Sequence, residues 1–193
     1  MGYYNKKSIS RKVTRSKSFA KFAHKKMRDN LERAKRKMVG EFDAHPVTRE
    51  ISAGPSAVNI SNTLTGYGNL FTFIGFSSGE SPTSTVREYL LSAPKIVRSR
   101  LVSNRMIFTV EVPALSDFKN ISRMPWEGGR SWLQGIETGI SGFSYYMAYV
   151  FNSKSSRSGG GLQVANKIRS GSYKTIPYMT PILRRFIKEI SRG

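Results

Sequence analysis

Residues 18–42 read SFAKFAHKKMRDNLERAKRKMVGEF. Within this stretch Phe19, Phe22, Ala23, Met27, Leu31, Ala34, Met38 and Phe42 recur every three or four positions, the spacing that gathers side chains onto one stripe of an α-helix. The remaining positions are largely cationic: Lys21, Lys25, Lys26, Arg28, Arg33, Lys35, Arg36 and Lys37. The pattern predicts an amphipathic helix over residues 19–42, with Ser18 as its N-cap and an apolar stripe that needs a core to cover it. His45-Pro46 stops the helix, because a residue preceding proline is pushed out of the helical basin.

Upstream, residues 1–18 alternate Lys, Arg and Ser with few apolar side chains, the composition of a flexible basic arm. The first forty residues hold fourteen lysines and arginines against Asp29 and Glu32, a local net of +12 within a chain total of +20. A positive field this concentrated calls for an acidic partner, and phosphate is the commonest, since Lys and Arg gain affinity by releasing its condensed counterions. Lys6, Lys7, Arg11, Lys12, Lys21, Lys25, Lys26, Arg28, Arg33, Lys35, Arg36 and Lys37 are the candidate contacts with nucleic acid or another acidic surface. The competing reading of such a run is a solvated face.

The 193 residues suit one domain with an extension, and 38% hydrophobic content with eleven phenylalanines argues for a folded body over residues 19–193. That body is itself basic: beyond residue 40 the net is +8. The chain has no cysteine, so disulfides and thiolate metal sites are excluded. Its longest apolar-rich stretch, residues 143–151, is far short of the roughly 20 residues a spanning helix needs, so no membrane partner is expected. A helix this basic can also lie on a lipid surface, but no other feature points to lipid.

Downstream, residues 46–69 read as a long loop punctuated by Gly54-Pro55 and Gly66-Tyr67-Gly68. Leu70–Phe76 (LFTFIGF) reads as a strand, and Pro82 opens a helix to about Leu91. Lys95–Val102 and Met106–Val112 flank Ser103-Asn104-Arg105 as a β-hairpin. Short helices follow at about Ser116–Met124 and Ser131–Ile136. The run 143–151 (FSYYMAYVF) places Phe143, Tyr145, Met147, Tyr149 and Phe151 on one parity of a strand, with Tyr145, Tyr149 and Phe151 as candidate subunit-interface residues. A Gly-rich basic loop, residues 154–171, precedes a final helix over Pro181–Ile190 that buries Ile182, Leu183, Phe186, Ile187 and Ile190. The expected class is α+β: a long basic N-terminal helix, a small antiparallel or mixed sheet with a hairpin, a C-terminal helix, and long loops ordered by neighbouring subunits.

Catalytic constellations are incomplete. Gly75-Phe76-Ser77-Ser78-Gly79 fits the G-x-S-x-G spacing, but both histidines, His24 and His45, precede Ser77, and Pro82 interrupts the helix that should follow. The Gly159-Gly160-Gly161 triplet lacks the lysine and hydroxyl of a phosphate loop. Scattered carboxylates give no metal-dependent nuclease, and no metal site or cofactor is expected.

Ser141–Asn152 leading into the Gly-rich loop, and Thr175-Ile176-Pro177-Tyr178-Met179-Thr180-Pro181 opening the last helix, resemble the ending of small neck and tail-completion proteins of tailed bacteriophages. The basic helix followed by His45-Pro46-Val47-Thr48 is similar to the start of that family. The resemblance implies a non-enzymatic virion protein, assembled in the host cytoplasm. It would form a homo-oligomeric ring in the head–tail connector, beside head-closure or portal-side and tail proteins and around the channel for double-stranded DNA. The alternative from a different class is an RNA-binding, ribosomal-type protein, since basic arms on compact α+β bodies suit rRNA equally well.

Overall fold

The computed structural model describes residues 10, 12–64, 68–125, 129–138 and 176–192. The expected aromatic strand at 143–151, the Gly-rich loop at 154–171 and residues 1–9 and 11 of the basic arm lie outside the described residues.

Helix α1 runs Lys17–Ala44. Its N-cap is Ser16, two residues before the expected Ser18: the Ser16 Oγ accepts the Phe19 N–H at 3.1 Å. Residues 12–14, within the stretch expected as the arm, are helical as well. The apolar stripe divides by depth. Leu31, Ala34, Met38 and Phe42 are buried, joined by Val39, whereas Phe19, Ala23 and Met27 are half-covered and Phe22 is 65% exposed. The C-terminal half of α1 is a core element and the N-terminal half projects from it.

Pro46 ends α1 and starts the next helix. His45 is held extended (φ −65°, ψ 135°), and Pro46 opens α2, Pro46–Ser52, where its missing N–H costs nothing. The loop expected over 46–69 is therefore helical at its start, continuing through a 3₁₀ turn at Gly54–Ser56. Beyond that turn, the described residues are held by the chain's own side chains. Glu50 is fully buried; its Oε2 accepts the Ser61 N–H at 2.7 Å and its Oε1 the Leu70 N–H at 2.6 Å. Asn69 Nδ2 donates to the carbonyls of Pro55 (2.9 Å) and Ala57 (2.8 Å). Two side chains thus do for this irregular segment what a ladder of backbone bonds does for a strand.

Leu70–Ile74 is helix α3 rather than the expected strand. Asn69 caps it by accepting the Thr72 N–H at 3.0 Å, and Gly75 closes it in the left-handed region (φ 88°). All five of its residues are buried, so it shows no amphipathic period. Ser77 lies in the turn that follows, where its carbonyl accepts the Glu80 N–H at 3.0 Å. Helix α4, Pro82–Ser92, comes next.

The hairpin forms as expected, from β1 (Lys95–Val102) and β2 (Arg105–Glu111), antiparallel, and these two strands are the only sheet among the described residues. Ser103 (φ 45°) and Asn104 (φ 65°) make its two-residue turn, with the positive φ at both positions that a type I′ turn requires. The register slips between Ile96 and Arg98, leaving Val97 as an extra residue. This bulge puts Ile96 and Ser99, three apart, on the half-buried side.

Short helices α5 (Phe118–Ile121) and α6 (Trp132–Thr138) follow, and α7 (Met179–Ser191) closes the chain. On α7 Met179, Ile182, Leu183 and Phe186 are buried and Ile190 is partly buried, but Ile187, expected inside, is 42% exposed. Helix α1 packs against α7 and α4, and Trp132, Leu133 and Ile136 of α6 complete the core. Tyr178 ties the two ends together: its hydroxyl lies 2.6 Å from the Thr48 Oγ1 and its ring stacks on Phe42 and tilts against His45. Burial pushes its hydroxyl far above the usual tyrosine range. The fold is α+β, as the periodicities indicate.

Two outcomes follow from these buried polar groups. Glu50→Ala strands two buried N–H groups at about 1–3 kcal/mol each, so urea unfolding should show a loss of at least about 2 kcal/mol. Glu88→Ala, exposed on α4, should stay within about 0.5 kcal/mol; equal midpoints for the two variants would refute the bracing role. His45 is held below its ordinary 6.5 mainly by burial, and its Nδ1 accepts the Val47 N–H, which only the neutral ring does. The unfolded chain therefore protonates first, and stability contributed by neutral His45 is present above pH 6.5 and lost as pH falls toward the lower folded value. His45→Asn keeps the cap and should remove that acid-side loss in thermal melts, and a parallel pH profile for the two chains would contradict it.

Candidate nucleic-acid interface

Because α1 buries only Leu31, Ala34, Met38, Val39 and Phe42, a broad face of the helix stays open. Lys21, Lys25, Lys26, Arg28, Arg33 and Arg36 are all exposed there, together with Lys17 and Lys12 just upstream. Lys21, Lys25, Lys26, Arg28 and Arg36 form no ion pair with any other described residue, and Arg33 donates to the Asn30 side chain at 2.8 Å.

Two of the sequence-predicted contacts are placed differently. Lys35 has a side chain only 11% exposed and pairs with Glu32 at 3.0 Å, because its position turns toward the hairpin rather than away from it. Lys37 pairs with Glu189 of α7 at 2.9 Å and holds that carboxyl below its usual range. Arg185 pairs with Glu41 (2.6 Å) and Arg87 with Asp43 (3.1 Å), so the basic–acidic contacts near the C-terminal end of α1 fasten it to α7 and α4. Such exposed pairs contribute little to stability. Their consequence is a division of α1: its ion pairs to other helices lie where it docks, while Lys21, Lys25, Lys26 and Arg28, which form none with a described residue, lie where it projects. Lys6, Lys7, Arg11, Tyr145, Tyr149 and Phe151 lie outside the described residues.

The hairpin joins this surface. His24 points from α1 to β1 and β2, its Nε2 3.1 Å from the Ser99 Oγ and its ring edge-on to Phe108 at 5.0 Å. Between the two elements lies a cleft of about 420 Å³ lined by His24, Arg28, Leu31, Glu32, Lys35 and residues 94–99. Four cations line it, Arg28 and Lys35 from α1 and Lys95 and Arg98 from β1, with Glu32 as the carboxylate in the lining; Lys35 pairs with Glu32, and Lys95 pairs with Glu111 of β2 at 3.0 Å. Arg98, Arg100 and Arg105 are exposed on the hairpin. The hairpin cations are absent from the sequence-derived set, because only the packing of His24 on Phe108 brings a segment seventy residues downstream beside α1. Their signal in the sequence is weak: three arginines in the predicted hairpin.

Among the described residues no three His, Cys, Asp or Glu side chains gather as metal ligands, and no helix is long and apolar enough to cross a membrane. Compared with protein-family models, curated proteins and solved structures, the chain matches none.

Proposed function

We propose that this chain is a non-catalytic structural protein that binds nucleic acid through phosphate contacts, without reading bases. The observation that carries the reading is the exposed, unpaired row of cations on the projecting half of α1. Lysines and arginines on one open face of a helix suit a regular line of phosphates, and such contacts position a protein on a duplex without sequence information. The setting implied by the phage-neck resemblance is a head–tail connector ring enclosing double-stranded DNA. There a sequence-independent cationic surface has a direct use: it engages whatever stretch of DNA occupies the channel.

The test has two readouts. Purified full-length chain should form rings or ring-forming oligomers in negative-stain images, and should bind unrelated DNA duplexes equally, with an affinity that falls steeply with salt. Replacing Lys21, Lys25, Lys26, Arg28, Arg33 and Arg36 by Gln should flatten the plot of log affinity against log salt by about 0.9 for each duplex phosphate that is no longer neutralised. A monomer selective for one structured RNA would overturn the connector reading in favour of the ribosomal-type alternative. An unchanged salt slope would overturn the assignment of the α1 face.

A further inference from the structure

We infer that the cleft between α1 and the hairpin is a seat for the phosphodiester backbone of a nucleic-acid strand, with β1 supplying one wall; this rests on the reading of the chain as a nucleic-acid-binding protein. Lys21, Lys25, Arg28, Glu32 and Lys35 follow one another at alternating spacings of four and three, and so form a single ridge along α1. At 1.5 Å per residue that ridge is about 21 Å long, enough to face several successive phosphates of one strand. Its inner end, Arg28, Glu32 and Lys35, is one wall of the cleft, and Arg98 stands opposite with Lys95, whose exposed pair with Glu111 at 3.0 Å is one that phosphate can displace.

Three features favour a linear polyanion over a free anion. The ridge leads from open solvent at Lys21 into the cleft, so a chain of charges is met along its length, whereas a single phosphate would use only the inner end. The cations come from two separate elements held at fixed spacing by the His24–Ser99 and His24–Phe108 contacts, so the walls are preorganised. Arg28 and Arg98 carry planar guanidinium groups that meet phosphate oxygens with paired N–H donors, which lysine does not.

Glu32 sets the charge of the seat. Among the described residues it is the one carboxylate lining the cleft, and it holds Lys35 at 3.0 Å. Neutralising it removes that repulsion toward phosphate and frees Lys35 at once. The same geometry thus requires opposite effects from two sets of substitutions, which loss of folding cannot imitate.

The experiment measures binding of short DNA duplexes by fluorescence anisotropy over a salt series, for the full chain and three variants. Lys95→Gln with Arg98→Gln should weaken binding and lower the salt slope by about 0.9 for each phosphate that is no longer neutralised, equally on unrelated duplexes. Glu32→Gln should bind several-fold more tightly. Arg184→Gln with Lys188→Gln, exposed on α7 away from the cleft, should match wild type. If wild type binds but the Lys95/Arg98 and Glu32 variants behave as wild type does, the cleft is not the seat, while the reading of the α1 face stands. If wild type binds neither duplex DNA nor single-stranded RNA at low salt, both fail together. Inorganic phosphate competing as effectively as the same concentration of duplex phosphate would make the cleft a small-anion site and overturn the inference. Preferential binding of an acidic peptide over DNA would overturn it in favour of a protein partner.

Discussion

One helix has to serve both as the beam of the core and as the carrier of much of the chain's charge. Over its last turns the helical period brings Leu31, Ala34, Met38 and Phe42 onto a side where α4 and α7 close over them. Over its first turns the hairpin covers His24, while Phe22, nine residues before Leu31 and so half a turn round the helix from it, is left largely exposed among lysines. A helix cannot neutralise its outer face by packing, so charge on the projecting half remains available to an outside partner. At the docked end Glu41, Asp43 and Glu189 pair with basic residues, whereas Glu32 pairs within α1 and Glu111 within the hairpin.

The docked end depends in turn on a few buried polar groups, because the segment after α1 has little regular structure. Tyr178 meets Phe42, His45 and Thr48 and so fixes where the last helix begins relative to the end of the first. Glu50 reaches from α2 to Ser61 and Leu70 and sets the path between them. Neither group is replaceable by an apolar residue without stranding a buried partner. On the projecting half His24 has the equivalent role at smaller scale, docking the hairpin on α1 and creating the cleft.

The elements legible in the sequence are those whose signals are local and periodic. Helix α1, the hairpin, α4 and α7 all announce themselves by spacing, and their observed limits depart from the expected ones by a few residues at most. Leu70–Phe76 is not legible in this way, since a short continuous apolar run fits a buried strand and a buried helix equally. The decisive marks are the flanking Asn69 and Gly75, a capping pair of the kind that brackets helices. Pro46 is legible only as a stop; that it also starts α2 follows from proline's fitness for a first helical turn. Residues 46–69 look like a loop in want of a neighbour because a buried carboxylate bridging eleven and twenty positions leaves no periodic trace. The candidate interface is half legible: the α1 cations stand in one run, while Lys95 and Arg98 join them through a tertiary contact, and the pairing of Lys35 and Lys37 depends on neighbours known only from the fold.

In the proposed function it is the projecting face of α1, rather than positive charge in general, that meets nucleic acid. Lysine-modification footprinting of the full chain with and without a DNA duplex tests it most directly, since the lysines are spread over the surface. Lys21, Lys25, Lys26 and Lys95 should become protected while Lys119 and Lys188, also exposed but on α5 and α7, should not. Uniform protection of all six, or protection confined to Lys119 and Lys188, would contradict it.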